Sequence, residues 1–468
     1  MFNKFILALC IFPSLLFAAR YDVQVEPGDS VVITSTAAAL EVDTLWVVDT
    51  LYITDTLVVN DTTFITDTLM VYDTTFVVDT VFVIDTVTVV DTVYVQTGGS
   101  GESQNFGIVV RMVGDVQDSL QSAVTNIGNL GGGIVYLVGT KADTVELTDT
   151  ITISKGNWKL VGIGPVFIRV NNGGYAFQET EGSDGWVIDG INFIGTSGAH
   201  GVIRAINGSN GIGFVNNSVA GFTNANSTIF DVDSSAMSWL VERNLFENNS
   251  IVKFKGRHSG FRFNTFKNMP NGLCFRSQYN RVYDNDFYSV HGKVIEASAF
   301  GYETWFAQHY YDIQRNNIYS VDTLAVYGIY AAGGGGIIDG NRIVPTQATY
   351  WMGCKNGIYA TGGQEQLRIT NNTVLYSTNV CIYSSAISIT NVSGNYIYGY
   401  HNAIVTGIET HGNWSSITNN NVHRCATGIL AYGTYVGVDG NTHYNVVTHE
   451  NVSGVTYPAM GASLDLGQ

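Results

Sequence analysis

From Tyr21 to Ser103 the chain has no lysine and no arginine, against fourteen acids. Phosphate backbones are gripped by basic footprints, so this stretch excludes a nucleic-acid partner, and residues 104–468 taken together stay net acidic. The whole chain carries 39 acids against 22 bases, a net charge of −17. Most of that imbalance lies in the same segment, because residues 104–468 hold 25 acids and 20 bases. Proline is also scarce, 6 in 468 residues, beside 52 glycines, 26 tyrosines and 23 phenylalanines. That balance fits a turn-rich β protein and argues against a helical one. Past the first twenty residues no long uncharged apolar run occurs, which excludes a membrane-spanning helix there. Cysteine is sparse too. Cys274, Cys354, Cys381 and Cys425 follow Cys10, and their spacing matches no metal-ligand pattern. We read the four as core residues, although export would permit a disulfide.

What is present begins with Met1, Phe2, Asn3 and Lys4, an apolar run from Phe5 to Phe17, and Ala18-Ala19. A short positive region, a short apolar core and small residues form the pattern of a secretory signal peptide, here residues 1–19. Cys10 follows Leu9 rather than a small residue, so no lipid anchor is expected. The mature chain is expected to be secreted or held at the cell surface.

A six-residue unit, Asp-Thr-x-x-[Val/Ile]-x, then repeats at Asp43, Asp49, Asp55, Asp61, Asp67, Asp73, Asp79, Asp85 and Asp91. Its fifth position is always Val or Ile, from Val47 to Val95. An even period with β-branched residues predicts strands. The slot after each aliphatic holds Val48, Thr54, Asn60, Thr66 or Tyr72, which matches a left-handed β-helix poorly. Residues 20–97 read as an acidic stalk or spacer, β or extended. Two forms stay open: a stalk in which several chains bury their Val/Ile stripes together as a homo-oligomer, and an extended spacer whose Asp residues guard against aggregation. Gly98-Gly99-Ser100-Gly101, within 98–103, forms a flexible joint.

Beyond the joint come Asp115-Val-Gln-Asp-Ser-Leu-Gln-Ser-Ala-Val124, Gly131-Gly-Gly-Ile-Val-Tyr-Leu-Val-Gly139 and Trp158-Lys-Leu-Val-Gly-Ile-Gly164. An Asn-x-apolar triplet then recurs at Asn217, Asn244, Asn264, Asn285, Asn316, Asn341, Asn372, Asn395, Asn420 and Asn441. The mean interval is about 25 residues, one coil of a solenoid. The residue two places on is apolar in all but His443, where a terminal coil should turn polar. Asn also tolerates the left-handed backbone of a tight corner.

These features resemble the right-handed parallel β-helix of the pectate-lyase-like superfamily and of phage tailspikes. The resemblance implies a helical cap at 115–124, an opening strand at 131–139 and a first coil closed at 158–164. Val138 stands where the family usually has proline. The expected fold is all-β: a right-handed parallel β-helix over residues 104–457, with a tail at 458–468. The polygalacturonase signature of paired aspartates, Gly-His-Gly and Arg-x-Lys is absent, as are epimerase-like and pectate-lyase motifs.

Inward residues align Thr228–Asp233 with Ser250–Lys255, Asn271–Arg276 and His291–Glu296. Strand alternation then stacks Asp233, Lys255, Arg276 and Glu296 in one outward column, with Asp231 and Lys253 beside it. Arg257 and His258 follow at the strand end. Lys255 and Arg276 each precede a ladder asparagine by nine residues. In this they resemble polysaccharide lyases of the alginate-lyase and chondroitinase-B type. The resemblance implies Lys255 as the base, Arg276 as its electrostatic partner, and an acidic polysaccharide as substrate. β-Elimination needs such groups. The uronate carboxylate must be neutralised before the neighbouring proton becomes acidic, and a base must then remove it. Lys253, Arg257, His258, His291, Glu296 and Asp233 are candidate substrate contacts. The family's calcium ligands correspond to Asn248 and Ser250, so these residues assign no metal ligand. The cofactor stays open, with calcium one option whose expected ligands are unmatched and direct neutralisation by Lys253, Arg257 or Arg276 the other. A solvated cross-strand charge ladder explains the same column without chemistry. Two readings therefore stand: a secreted protein acting on or binding an acidic polysaccharide, and a non-enzymatic adhesin or filament subunit.

Overall fold

The computed structural model describes residues 107–453, with breaks chiefly at 111–115, 140–143, 299–309, 320–324, 347–352, 363–365, 386–388 and 401–404. The signal segment, the hexad tract with its proposed assembly role, the joint and the tail lie outside the described residues. Two compact units are present, Met1–Val145 with Ile153–Phe167, and Glu146–Thr152 with Ile168–Gln468. Among the described residues no helix is long and apolar enough to cross a membrane.

In the first unit, the helix Val116–Asn129 buries Val116, Leu120, Ala123, Val124 and Ile127. That spacing is one helical face. Asp118 sits in the first turn, where the helix dipole favours an acid. The helix stops where Gly132, at φ +130°, donates its N–H to the Ile127 carbonyl at 3.0 Å. Only glycine takes that backbone cheaply. The following strand Gly133–Val138 pairs in parallel with Trp158–Ile163. Helix, opening strand and paired strand thus fall where the cap motifs predict them.

The second unit is a parallel β-helix. Each coil contributes one strand to each of three sheets, and every described pairing between coils is parallel. The first sheet includes Gly260–Arg262, Asn280–Tyr283 and Tyr310–Gln314. The second includes Thr265–Met269 and Asp286–Val290. The third starts as a four-stranded sheet ending at Phe230–Val232 and continues as a nine-stranded sheet from Val252–Phe254 to Thr448–Ser453. No helix occurs among the described residues of this unit.

The ten asparagines stand in one column, at the corner between the first and second sheets, and all are buried. Each lends its side-chain carbonyl to the preceding coil. Asn285 N donates to Asn316 Oδ1 at 3.1 Å, and Asn316 N donates to Asn341 Oδ1 at 3.0 Å. Asn316 Nδ2 in turn donates to the Val282 carbonyl at 2.9 Å and to Asn341 Oδ1 at 3.0 Å. The left-handed backbone expected of these asparagines belongs instead to the residue before each: Asn216, Arg243, Phe263, Asp284, Arg315, Asn371 and Asn419, with φ between 51° and 57°, and Gly340, Gly394 and Gly440, with φ between 64° and 68°. The corner needs two special residues, one to turn the chain and one to satisfy the backbone groups that the turn leaves unpaired.

Two positions on, Phe246, Phe266, Phe287, Ile318 and their equivalents are buried, and the Phe266 and Phe287 rings stack at 4.5 Å. His443, the polar residue at this position in the last coil, is fully buried as well. Its Nε2 lies 3.3 Å from Glu450 Oε1, while its Nδ1 has no hydrogen-bond partner among the described residues. The four described cysteines, Cys274, Cys354, Cys381 and Cys425, are buried and form no disulfide among the described residues.

One core acid stands out. Glu179, on the inner face of Tyr175–Glu179, is 3% exposed, and its Oε2 has no hydrogen-bond partner among the described residues. Burial raises its carboxyl above the ordinary 4.5, with Ser183 and Ser209 offsetting part of the rise. A folded-state value above the unfolded one means that the folded chain holds the proton longer. The contribution to stability is complete below pH 4.5 and is lost as pH climbs through the raised value. Glu179→Gln is therefore expected to melt later than wild type at pH 7 and to lack this decline, as read by thermal unfolding across pH 4 to 8.

Candidate functional site

The outer face of the third sheet carries the charged candidates. Register pairs Arg204 with Asp231 and, farther along, Lys253 with Cys274, Cys274 with Glu296 and Glu296 with Tyr330. The same column continues through Tyr359, Tyr383 and Glu409. Arg276 N donates to the Phe254 carbonyl at 2.9 Å, which extends the strand pairing and sets Arg276 one coil from Lys255.

Lys255 is exposed, while Lys253 and Arg276 are half-buried. Arg276 and Glu296 both hydrogen-bond the Cys274 thiol, and burial pushes that thiol up to about 11. It therefore stays neutral and serves as a small buried spacer beneath two charges. Lys293 Nζ lies 2.7 Å from Glu296 Oε1 and 3.9 Å from the Tyr330 ring centre. Arg276, Cys274, Glu296, Lys293 and Tyr330 form one connected cluster.

The expected column Asp233–Lys255–Arg276–Glu296 is thus only partly realised. Lys255 and Arg276 are neighbours, but Glu296 stands opposite Cys274, and Lys293 lies beside Asn271, the place assigned to His291. The corner before Gly292–Ser298 is one residue longer than its predecessor, and Gly292 takes φ +57° there. His291 remains in that corner, its N–H bound to the Met269 carbonyl at 2.8 Å. Asp233 is turned back on its own loop, accepting from Ser235 N at 2.5 Å and from the Ser235 hydroxyl. Asp231 pairs with Arg204 at 3.5 Å. Arg257 Nε donates to the Ser234 carbonyl at 2.7 Å. His258 leaves the patch altogether and stacks on Tyr279 at 4.8 Å, at the corner leading into the first sheet.

Beyond Glu296 the face becomes a tyrosine ladder. Tyr359 and Tyr383 stack at 4.3 Å, Tyr330 stacks on Tyr359 at 6.1 Å, and the row runs on through His411 to Tyr432. His411 is held by Glu409 at 2.7 Å. Rings stacked along the solenoid cover one another's faces, so the ladder presents edges and hydroxyls outward, a polar rail beside the cations. Burial raises the Tyr359 hydroxyl, which stays a donor at neutral pH. Its sequence signal is a repeat at coil spacing, Gly328-Ile-Tyr-Ala, Gly357-Ile-Tyr-Ala and Cys381-Ile-Tyr-Ser. Lys293 and Arg204 carry no comparable signal. Tyr302, another of the many tyrosines, lies outside the described residues.

The calcium site that the lyase resemblance raises does not fit these residues. Asn248 replaces one acid, and Ser250, replacing the other, is bound to Ser227 with the hydroxyl oxygens 2.6 Å apart. Among the described residues no three His, Cys, Asp or Glu side chains gather as a metal site. Calcium prefers six to eight oxygens with carboxylates among them.

No protein-family model matches this chain, and no curated protein matches its sequence. Solved structures similar to it include the A-module of the mannuronan C-5 epimerase AlgE6 of Azotobacter vinelandii. It is 13% identical, covers 76% of this chain and 96% of its own, and has a TM-score of 0.45. A PL6 alginate lyase in complex with a trisaccharide is 12% identical over 77% of this chain and 85% of its own, at 0.42. The catalytic unit of a GH87 α-1,3-glucanase from Streptomyces thermodiastaticus is 12% identical over 80% and 69%, at 0.38.

Proposed function

We propose that this chain is an exported protein that binds an acidic polysaccharide along the outer face of the third sheet and cleaves it by β-elimination. One observation carries the reading: four cations, Lys253, Lys255, Arg276 and Lys293, gather on three successive coils around the column that runs from Lys253 through Glu296 to the tyrosine rail. Cations neutralise uronate carboxylates, and the rail takes up sugar hydroxyls. In the step itself, Lys255 in its neutral form takes the proton from the carbon beside the carboxylate. That C–H pair becomes the new carbon–carbon double bond, the glycosidic C–O bond breaks, and the leaving oxygen takes a proton from water. Arg276 faces the carboxylate and stabilises the charge that builds there.

The ion pairs Arg204–Asp231 and Lys293–Glu296 favour a second reading, in which the face is a charge ladder that holds a glycan without cutting it. Incubation of the purified chain with alginate, pectate and chondroitin separates the two. The lyase reading expects ultraviolet absorbance from unsaturated ends with at least one polymer. Salt-sensitive retention in a polymer-containing gel without product supports the holding role. Neither product nor retention overturns both.

A further inference from the structure

The first sheet has an outer face of its own, formed by residues that the third-sheet site does not use. At the corner leading into it, His258 stacks on Tyr279 at 4.8 Å and Tyr279 on Tyr310 at 6.2 Å. The same column continues through Gly335 and the polar Gln366 to Ile389 and Trp414. It ends where Trp414 stacks on Tyr435 at 4.1 Å. Trp414 is 53% exposed, Ile389 49%, and Tyr279 and Tyr435 40% each. Large apolar side chains exposed together in one row are uncommon unless something covers them. Tyr310 and Trp414 are four coils apart, about 19 Å at the usual strand spacing.

The neighbouring column runs Arg281, Asp312, Ile337, Arg368 and Asn391. Arg281 and Arg368 are exposed, and neither has a carboxylate within ion-pair distance among the described residues. One acid accompanies each arginine and is held by neutral donors: Asp312 by Gln314 at 2.5 Å, Asp339 by Thr370 at 2.5 Å and Asn371 at 2.9 Å, so the exposed guanidiniums are the groups free to meet an anion. Two cavities open along this face. One of about 620 Å³ is lined by Tyr279, Arg281, Tyr310 and Asp312, and one of about 550 Å³ by Ile337, Asp339, Arg368 and Thr370.

We infer that this row is a second binding face for an acidic polysaccharide, which lies along the solenoid with its carboxylates at Arg281 and Arg368. The apolar faces of its sugar rings rest on Tyr279 at one end and on Trp414 and Tyr435 at the other. Aromatic rings suit a ligand that is apolar on one face and wet on the other, and the two arginines select an anionic polymer over a neutral one. The inference shares its ligand class with the proposed function but requires neither cleavage nor the third sheet. Two faces on one chain raise retention on a long polymer through effective concentration.

Affinity electrophoresis in gels containing alginate, pectate, chondroitin sulfate or neutral dextran tests it with the full chain. In a Lys253→Ala/Lys255→Ala/Arg276→Ala background, retardation on an acidic polymer is expected to persist. Adding Arg281→Ala/Arg368→Ala, or separately Trp414→Ala/Tyr435→Ala, is expected to weaken it tenfold or more, with circular dichroism unchanged and no effect in dextran. Retardation that neither double substitution alters overturns the second face and leaves the third-sheet reading intact. Retardation unaffected by the third-sheet triple but lost with the first-sheet pairs overturns the third-sheet reading alone. A wild-type chain that no acidic polymer retards overturns both.

Discussion

Asn316→Ala is expected to cost about 4 kcal/mol of folding stability, measured as a lower denaturant midpoint. The amide is fully buried and works in both directions along the ladder. Its oxygen accepts from the Asn285 backbone at 3.1 Å and from the Asn285 side chain at 2.9 Å. Its nitrogen donates to the carbonyls of Val282 and Gln314. Truncation orphans at least one backbone N–H and one backbone C=O in the dry interior, at about 1–3 kcal/mol each, and leaves a cavity. Asn316→Asp should cost more at neutral pH, since a buried carboxylate oxygen would then face three acceptors, and acidification should restore part of the loss. Asn451, exposed on the last described strand, serves as the control, and alanine there should change the midpoint little. If Asn316→Ala melts like wild type, the ladder is a by-product of the corner rather than its support.

How much of this was legible beforehand follows from which physical signal each feature leaves. The Asn-x-apolar triplet at coil spacing marks both the corner and the inward face, and both stand where it predicts them. The role assigned to the asparagine was only half right, because the φ requirement falls on its neighbour. Asn or Gly fills that position in six of the ten coils, but Arg243, Phe263, Asp284 and Arg315 meet the same requirement in the others and interrupt the mark. Glu296 was misplaced for a different reason. A strand alternates with period two, so sliding an alignment by two residues keeps every inward residue inward. Nothing in the pattern distinguishes Glu296 opposite Arg276 from Glu296 opposite Cys274, since the corner length that decides it rests on Gly292. The tyrosine ladder was visible as a repeated Gly-Ile-Tyr-Ala but reads equally as packing until the rings are seen stacked on one outer column. Arg204 and Lys293 become site residues only through neighbours 27 and 3 positions away in sequence.

Lys255→Ala and Arg276→Ala should each lower lyase activity on the preferred uronate polymer by about 10²-fold or more, the usual loss when a base or a charge stabiliser is removed. The two should fail differently. Lys255 is exposed and has no ion-pair partner among the described residues, so its removal should fall on kcat with KM and the β-rich circular dichroism spectrum unchanged. Arg276 also holds the Cys274–Glu296 cluster. Its removal should therefore raise KM as well as lower kcat, and Arg276→Lys should recover charge without the planar fork and regain only part of the activity. Asp231→Ala frees Arg204 but touches no proposed reacting group, and it should cost far less than either. Wild-type chain with no product on any uronate polymer, with or without added calcium, would return the whole patch to the status of a charge ladder. Activity that survives both alanine substitutions would place the base elsewhere on the face. Glu296, which Lys293 and Cys274 hold at the centre of the cluster, and His291 in the adjoining corner are then the substitutions to make next.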